Sequence, residues 1–277
     1  MYKILEKQTL VPNIYLFKVE APNVARKAQA GQFVVIRVDE VGERIPLTIA
    51  DWDRKEGNIT IVFAAVGTSS SKLARLNAGD SILNFVGPLG LPTHIQNYGT
   101  VVCVAGGVGA APIAPIARAL KEAGNKVITI LGARNKGLLF WEDRLVNVSD
   151  RLIVTTDDGT YGRKGLVTEP LKELLEKEKV DLSVIIGPSI MMKFAAKTTE
   201  PFKVKTIVSL NPIMVEGTGM CGCCRVSVGG VTKFACVDGP DFDGHQIDWD
   251  LLMSRQKVYL AEEKLSFEQW LAKHPVN

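Results

Sequence analysis

Four of the five cysteines lie in one glycine-rich stretch, in a pattern that suits iron–sulfur chemistry. Two residues separate Cys221 from Cys224, eleven separate Cys224 from Cys236, and four separate Glu216 from Cys221. This is the plant-type 2Fe–2S spacing C-x4-C-x2-C…C with its first cysteine replaced by a carboxylate. The glycines between the ligands permit the positive φ angles and the close backbone approach that a cluster needs. The spacing predicts a 2Fe–2S cluster on Glu216, Cys221, Cys224 and Cys236, with Cys223 as the spare cysteine.

Other uses of these cysteines are weaker alternatives. Structural zinc commonly takes two separated C-x2-4-C pairs, and this loop has one. Cys223 and Cys224 are adjacent, so in extended chain their side chains point to opposite faces. A disulfide framework suits a short secreted chain, whereas the charged N-terminus predicts no signal peptide. A zinc-binding interaction module stays open as an alternative of another class, and so does Cys223 as the fourth ligand in place of Glu216.

A second motif is a glycine turn that follows one apolar segment and opens another. Gly106-Gly107-Val108-Gly109 would let a pyrophosphate approach the N–H groups of a helix N-terminus. Pro112 fits the first turn of such a helix. Glycine in a tight turn is equally compatible with a purely structural role. Three later turns strengthen the prediction of a nucleotide cleft, in which Asp157 could accept ribose hydroxyls: Leu131–Arg134, Thr155–Gly159 and Ile186–Pro188.

A third motif, Gly67 to Ser71, precedes the helical segment that starts at Lys72. Its backbone N–H groups and hydroxyls suit a diphosphate. The alternative is an ordinary helix N-cap with no ligand.

These motifs fall on three kinds of element. Short β-branched and aromatic segments at 14–20, 33–38, 46–50 and 59–64 predict an antiparallel barrel over residues 1–98, closed by a linker at 87–92. Residues 99–210 alternate strands (100–105, 126–132, 152–156, 182–187, 205–210) with helices (111–123, 140–146, 168–177, 189–197), which predicts a doubly wound parallel sheet. Residues 211–277 would form a small cluster module with a partly helical C-terminal segment.

Composition and charge argue against two kinds of partner. The 277 residues are 46% hydrophobic and carry a net charge of +3 without a basic run, which argues against nucleic acid. The apolar stretch 101–117 is interrupted by Gly106, Gly107, Gly109, Pro112 and Pro115, which argues against a membrane span. We therefore expect a cytoplasmic protein with neither nucleic acid nor membrane as a partner.

The order of barrel, nucleotide sheet and cluster loop resembles the ferredoxin–NADP reductase superfamily, and within it the electron-transfer subunits that carry FAD and a 2Fe–2S cluster. The resemblance implies FAD, the cluster and NAD(H), with NADP(H) as a second possibility. Two positions depart from the family pattern. Arg44 lies one residue further from Pro46 than the usual arginine, and Leu47 replaces an aromatic residue. The implied flavin residues are Arg44, Pro46, Leu47, Thr48, Phe63, Ala65, Gly67, Thr68, Ser69 and Ser70. The implied nicotinamide-nucleotide residues are Gly106, Gly107, Val108, Gly109, Pro112, Arg134, Asp157, Asp158, Gly159, Gly187, Pro188 and Met191.

Two groups of electron-transfer subunits fit this resemblance. One serves NAD-dependent dihydroorotate dehydrogenase and has four cysteines in its cluster loop. The other is the small subunit of NADH-dependent reduced ferredoxin:NADP oxidoreductase, to which residues 217–225 and 236–245 are more similar, as is the carboxylate at Glu216. This second resemblance implies hydride exchange between NAD(H) and FAD. It also implies single-electron transfer through the cluster to a larger flavin and iron–sulfur subunit, and electron bifurcation that reaches ferredoxin through that partner.

Overall fold

The computed structural model describes residues 1–274, so the last three residues of the expected cluster module lie outside the described chain. Its first sheet is antiparallel, in the order β6-β1-β2-β5-β4-β3-β7. The two end strands are joined by Leu83, whose N–H donates to the Val38 carbonyl, so the sheet nearly closes into the expected barrel. The elements are β1 (Tyr2–Val11), β2 (Ile14–Glu20), α1 (Pro22–Ala25), β3 (Phe33–Arg37), β4 (Arg44–Asp53), β5 (Asn58–Ala64), α2 (Thr68–Arg75), β6 (Ser81–Ile82) and β7 (Asn84–Leu89).

The predicted linker at 87–92 is wrong for its first half. Gly87, Pro88 and Leu89 belong to β7, in which Leu89 pairs with Phe33 of β3. Pro88 is compatible with this position because β7 is the last strand in the sheet order, and an edge strand tolerates a missing N–H.

The second sheet confirms the predicted strand–helix alternation. Its order is β11-β10-β9-β8-β12-β13, all parallel, and an antiparallel strand at Asp241–Asp243 lies beside β13. One face packs on α3 and α4 and the other on α5 and α6. The elements are β8 (Thr100–Gly106), α3 (Ala110–Glu122), β9 (Lys126–Ala133), α4 (Glu142–Asn147), β10 (Arg151–Thr156), β11 (Arg163–Lys164), α5 (Thr168–Lys177), β12 (Leu182–Ile186), α6 (Ser189–Thr199) and β13 (Lys205–Ser209).

The C-terminal part joins both sheets. One hydrophobic core combines Cys224 and Cys236 with α5, α6 and the barrel residues Phe33 and Val35. A strand of this part extends the parallel sheet, because Phe242 pairs with Val208. Its elements are β14 (Arg225–Val228), β15 (Val231–Phe234), β16 (Asp241–Asp243), α7 (Trp249–Arg255) and α8 (Leu260–Lys273).

Candidate functional site

The first candidate surface is the outer face of the barrel along β4. Pro46 pairs with Val35 and Thr48 with Phe33, and both partners lie outside the barrel core. Side chains two positions apart share a face of a strand, so Arg44 lies in the same row. The additional residue, Ile45, therefore places Arg44 on the same face as Pro46. Leu47 has the opposite orientation and packs against the barrel core.

A helix start flanks this row. Gly67 precedes α2, and its N–H donates to the Ser70 hydroxyl at 3.0 Å. The next N–H groups, of Thr68, Ser69 and Ser70, belong to the first turn, where no helical acceptor exists. Lys72 on α2 pairs at 3.2 Å with Asp39 in the hairpin that precedes Arg44, so the helix lies beside the start of β4.

Two other sequence candidates have different surroundings. The Phe63 ring is in the barrel core, 2% exposed, with its centroid 5.1 Å from that of Phe17. Its side chain therefore cannot reach a ligand on the outer face. Ala65 follows β5, and its N–H donates to the Asn13 carbonyl at 2.8 Å.

The glycine turn after β8 is shaped by close backbone packing. A Cβ at Gly109 would overlap the carbonyl oxygen of Ile186, so the turn can lie against the end of β12 only with glycine here. Gly107 has φ +55° and open space where a Cβ would be, so a ligand can approach its backbone. Val108 is half-buried, and Pro112 is buried in the first turns of α3.

The carboxyl ends of four parallel strands meet at this turn. Gly106 pairs with Gly132, and Gly132 pairs with Thr155, so the ends of β8, β9 and β10 are level. The Met191 side chain of α6 covers both Gly106 and Gly187, next to Pro188. The structure thus brings these nucleotide candidates to one edge of the sheet, which is where open α/β sheets bind ligands.

The polar candidates at this edge lie on neighbouring loops. The Asp157 N–H donates to the Ala133 carbonyl and the Asp158 N–H to the Arg134 carbonyl. Asp158 accepts hydrogen bonds from the Thr160 N–H and hydroxyl, which lower the pKa of its carboxyl. Gly159 follows with φ +78°. Asp157 and Arg134 are exposed, so of the two acidic residues Asp157 has the freer carboxylate.

The cluster loop places its candidate ligands in two pairs. The β14–β15 hairpin brings Cys224 beside Cys236, with their Sγ atoms 3.2 Å apart and both residues 2% exposed. Burial, followed by the neighbouring Cys224 thiol, raises the pKa of Cys236 to about 12. Protons must therefore leave when a metal binds this pair.

The second pair is Glu216 and Cys221. The Cys223 N–H, then the Cys223 thiol and the Glu216 N–H, lower the pKa of the Cys221 thiol, while burial and the Glu216 carboxylate oppose them. Oε2 of Glu216 is buried without a hydrogen-bond partner. Cys223 also lies beside Cys221, and its burial raises the pKa of its thiol. Within residues 1–274, no three His, Cys, Asp or Glu side chains are arranged to hold a single metal ion.

The cluster loop rests directly on the outer face of the barrel. Gly217 has φ +87°, and a Cβ there would lie 2.8 Å from Leu89 Cδ1 and 3.0 Å from Val35 Cγ2. Val35 is the partner of Pro46, so the row on β4 and the cluster loop are neighbours. Sequence reasoning missed this contact, because β-strand alternation does not indicate which face another loop will cover.

Comparison with known proteins identifies the family. Residues 211–248 match the iron–sulfur cluster binding domain of dihydroorotate dehydrogenase B, and residues 103–197 match the oxidoreductase NAD-binding domain. A Thermotoga maritima homologue of the dihydroorotate dehydrogenase B electron-transfer subunit is 49% identical over 97% of this chain and 95% of its own. The Desulforamulus reducens electron-transfer subunit is 33% identical over 90% and 97%. This chain belongs to the family of dihydroorotate dehydrogenase B electron-transfer subunits and their homologues.

A solved structure of NADH-dependent reduced ferredoxin–NADP oxidoreductase contains a similar member of this family. That chain has a TM-score of 0.93 and 49% identity, with 98% of both chains covered. Phthalate dioxygenase reductase, at 17% identity and a TM-score of 0.60, shares the fold of the family. The chain is therefore an oxidoreductase subunit of the flavin-, NAD- and iron–sulfur-dependent type. No helix within residues 1–274 is long and apolar enough to cross a membrane.

Proposed function

We propose that this chain exchanges hydride between NAD(H) and FAD and delivers single electrons through a 2Fe–2S cluster to a larger subunit. The enzyme would be of the NADH-dependent reduced ferredoxin–NADP oxidoreductase type. The observation that carries the proposal is the full-length similarity to a chain of that enzyme, 98% of both chains at 49% identity. The contact between the cluster loop and the β4 row supports it, because this contact would place two cofactors side by side.

The flavin would lie along the outer face of the barrel. In this proposal Arg44, Pro46 and Thr48 face it, and the first turn of α2 from Gly67 to Ser70 binds its diphosphate. Free N–H groups and the positive end of a helix suit an anion. The open space around Gly67 supports this use. Leu47 and Phe63 would support the barrel wall from inside, and Ala65 would contribute backbone alone.

The nicotinamide nucleotide would bind at the carboxyl ends of β8, β9, β10 and β12. We assign the pyrophosphate to the turn Gly106–Gly109 and the ribose hydroxyls to the exposed Asp157. Met191 would close the cleft beside Gly187 and Pro188. Arg134, Asp158, Gly159 and Pro112 would shape the surrounding loops.

The donor set of the cluster loop fits a binuclear cluster. Each iron of a 2Fe–2S cluster takes two protein ligands, and the loop offers Cys224 with Cys236 and Glu216 with Cys221. The unpartnered Oε2 of Glu216 supports the carboxylate as fourth ligand, since a buried charged oxygen without a partner is costly. Cys223 would remain outside the ligand set.

These positions suggest separate roles for the cofactors and for the protein residues that would hold them. When bound, FAD accepts a hydride and releases electrons singly, and the 2Fe–2S cluster carries one electron at a time. The chain's own residues orient and separate these groups: the β4 row and α2 hold one, and the loop on Val35 and Leu89 holds the other. Cys221 and Met220 are exposed, so this edge of the loop is open for electron transfer to a partner.

The proposed organisation is a barrel of residues 1–98, a nucleotide domain of 99–210 and a cluster module of 211–277, in a cytoplasmic heterodimer.

A second candidate function is electron transfer for dihydroorotate dehydrogenase, favoured by the names of several relatives. The carboxylate at Glu216 favours the first candidate. The similarity of residues 211–248 to an iron–sulfur domain argues against the zinc module.

One experiment distinguishes the two candidate functions. The tagged chain is purified from its native host without oxygen, and the proteins that copurify with it are identified by mass spectrometry. A large flavin and iron–sulfur subunit supports the proposal. A dihydroorotate dehydrogenase catalytic subunit overturns it in favour of the second candidate.

A further inference from the structure

We propose that the C-terminal helix α8 is part of the flavin site: it holds the first turn of α2 in place from outside. The inference rests on the proposed function, because it takes that turn as the binding site of the flavin diphosphate. Neither the glycine turns nor the cysteine spacing gives α8 a role.

The first contact is at the proposed site itself. The Thr68 hydroxyl and the Ser266 hydroxyl of α8 are 3.1 Å apart, a hydrogen bond between residues 198 positions apart in the chain. Thr68 is the first residue of α2. This hydrogen bond therefore connects α8 to the first turn of α2.

The second contact anchors the helix one to two turns further along. The Arg75 guanidinium at the end of α2 lies 4.7 Å from the centre of the Trp270 ring and donates to the His274 carbonyl at 2.6 Å. The Trp270 ring also stacks on the rings of Phe267 and His274. It is 9% exposed, whereas Leu265 of the same helix is 57% exposed. Trp270 is therefore the main anchor of α8.

The preceding segment is attached to the other two sites. Arg255 at the end of α7 donates to the Cys223 carbonyl in the cluster loop at 3.2 Å. Gln256 contacts Asn211 and Ser189, which begins α6 on the nucleotide side. Residues 249–274 thus run from the cluster loop to α2. This segment would fix the flavin turn relative to the cluster loop.

The test compares FAD retention in full-length, FAD-loaded variants. Trp270→Ala removes the anchor, and Trp270→Phe keeps an aromatic ring for Arg75 to pack on. Leu265→Ala is the matched control, since it shortens an exposed side chain of the same helix. FAD release after dilution is followed by the rise in flavin fluorescence, and the visible absorbance of the cluster is recorded in parallel.

We expect Trp270→Ala to raise the FAD dissociation constant by roughly tenfold. Without its anchor on α8, the first turn of α2 becomes ordered only when FAD binds, and the free energy of ordering it reduces the binding free energy. Trp270→Phe should restore most of the affinity, and Leu265→Ala should not change it. Ser266→Ala, which leaves the anchor in place, should weaken FAD binding by roughly threefold through one lost hydrogen bond.

Unchanged FAD affinity in both Trp270→Ala and Ser266→Ala would overturn the inference while leaving the proposed function intact. An equal loss in Leu265→Ala would overturn it too, because a general loss of stability would then explain the effect. A parent chain that binds no FAD would instead refute the proposed function.

Discussion

Replacement of Glu216 by glutamine should have opposite effects on the iron-free and the cluster-loaded chain. Oε2 of Glu216 is buried without a hydrogen-bond partner in the protein. An unsatisfied buried polar group costs about 1–3 kcal/mol, and more if it is charged. Glu216→Gln removes the charge at nearly constant volume, so the iron-free chain should gain about 1 kcal/mol in its free energy of unfolding. For a chain of this size, that corresponds to a rise in Tm of about 2–4 °C.

In the loaded chain the same change removes an anionic ligand. A cluster that binds the folded chain more weakly also stabilises that chain less against unfolding. The Tm of the loaded Glu216→Gln variant should therefore fall relative to the loaded parent. The assay is thermal unfolding of both forms, made iron-free with a chelator or reconstituted with iron and sulfide, together with the EPR spectrum of the reduced cluster. Cys223→Ser is the matched control and should change neither Tm nor spectrum.

Two results would refute this reasoning. One is an unchanged EPR spectrum in Glu216→Gln combined with loss of the cluster in Cys223→Ser, which would make Cys223 the fourth ligand. The other is a lower Tm of the iron-free Glu216→Gln chain, which would show that the carboxylate is satisfied in the absence of iron.

Two further predictions concern the supports of the site. Burial raises the pKa of the Asp241 carboxyl despite hydrogen bonds from Thr93 at 2.6 Å and from Ser209. Because the raised pKa makes the folded chain favour the neutral carboxyl, Asp241 makes the fold less stable as pH rises and the carboxyl ionises. Asp241→Asn, which stays neutral, should therefore increase Tm at pH 8, and the gain should shrink towards pH 4. Equal gains at both pH values would contradict this. Gly109→Ala should lower NADH affinity at least tenfold by displacing the turn from the Ile186 carbonyl. Titration with NADH checks it, and unchanged affinity would show that the turn adapts.

Local patterns determined most of the elements correctly. The helix expected at 168–177 has those bounds, and the strand expected at 182–187 ends at Ile186. Their signals are short-range, since apolar periodicity and turn residues act over a few positions. The linker predicted at 87–92 is wrong for residues 87–89 because a proline inside a strand is acceptable only at an edge, and edge position is a tertiary property.

The candidate ligands came from spacing, whereas their arrangement depends on tertiary contacts. Spacing alone could not decide between Glu216 and Cys223. The unpartnered oxygen of Glu216 favours the carboxylate because it reports on what surrounds the side chain. The contact of Gly217 with Val35 joins positions about 180 residues apart, and no sequence periodicity extends that far.

The residues implied for the flavin site point to different sides of the barrel wall. Arg44 shares a face with Pro46 and Thr48 by strand alternation, which sequence could have predicted once the strand bounds were known. Phe63 lies in the core instead, since it packs against Phe17. A motif match assigns a position to a site without telling which way its side chain points.

An anaerobic titration of the purified chain with NADH, followed by visible absorbance and EPR, tests most directly whether this chain carries electrons from NADH through FAD to a 2Fe–2S cluster. We expect a brown protein with equal amounts of FAD and 2Fe–2S cluster, bleached by NADH as the EPR signal of the reduced cluster appears. A colourless protein with bound zinc and no response to NADH would show that the chain is not such an electron carrier.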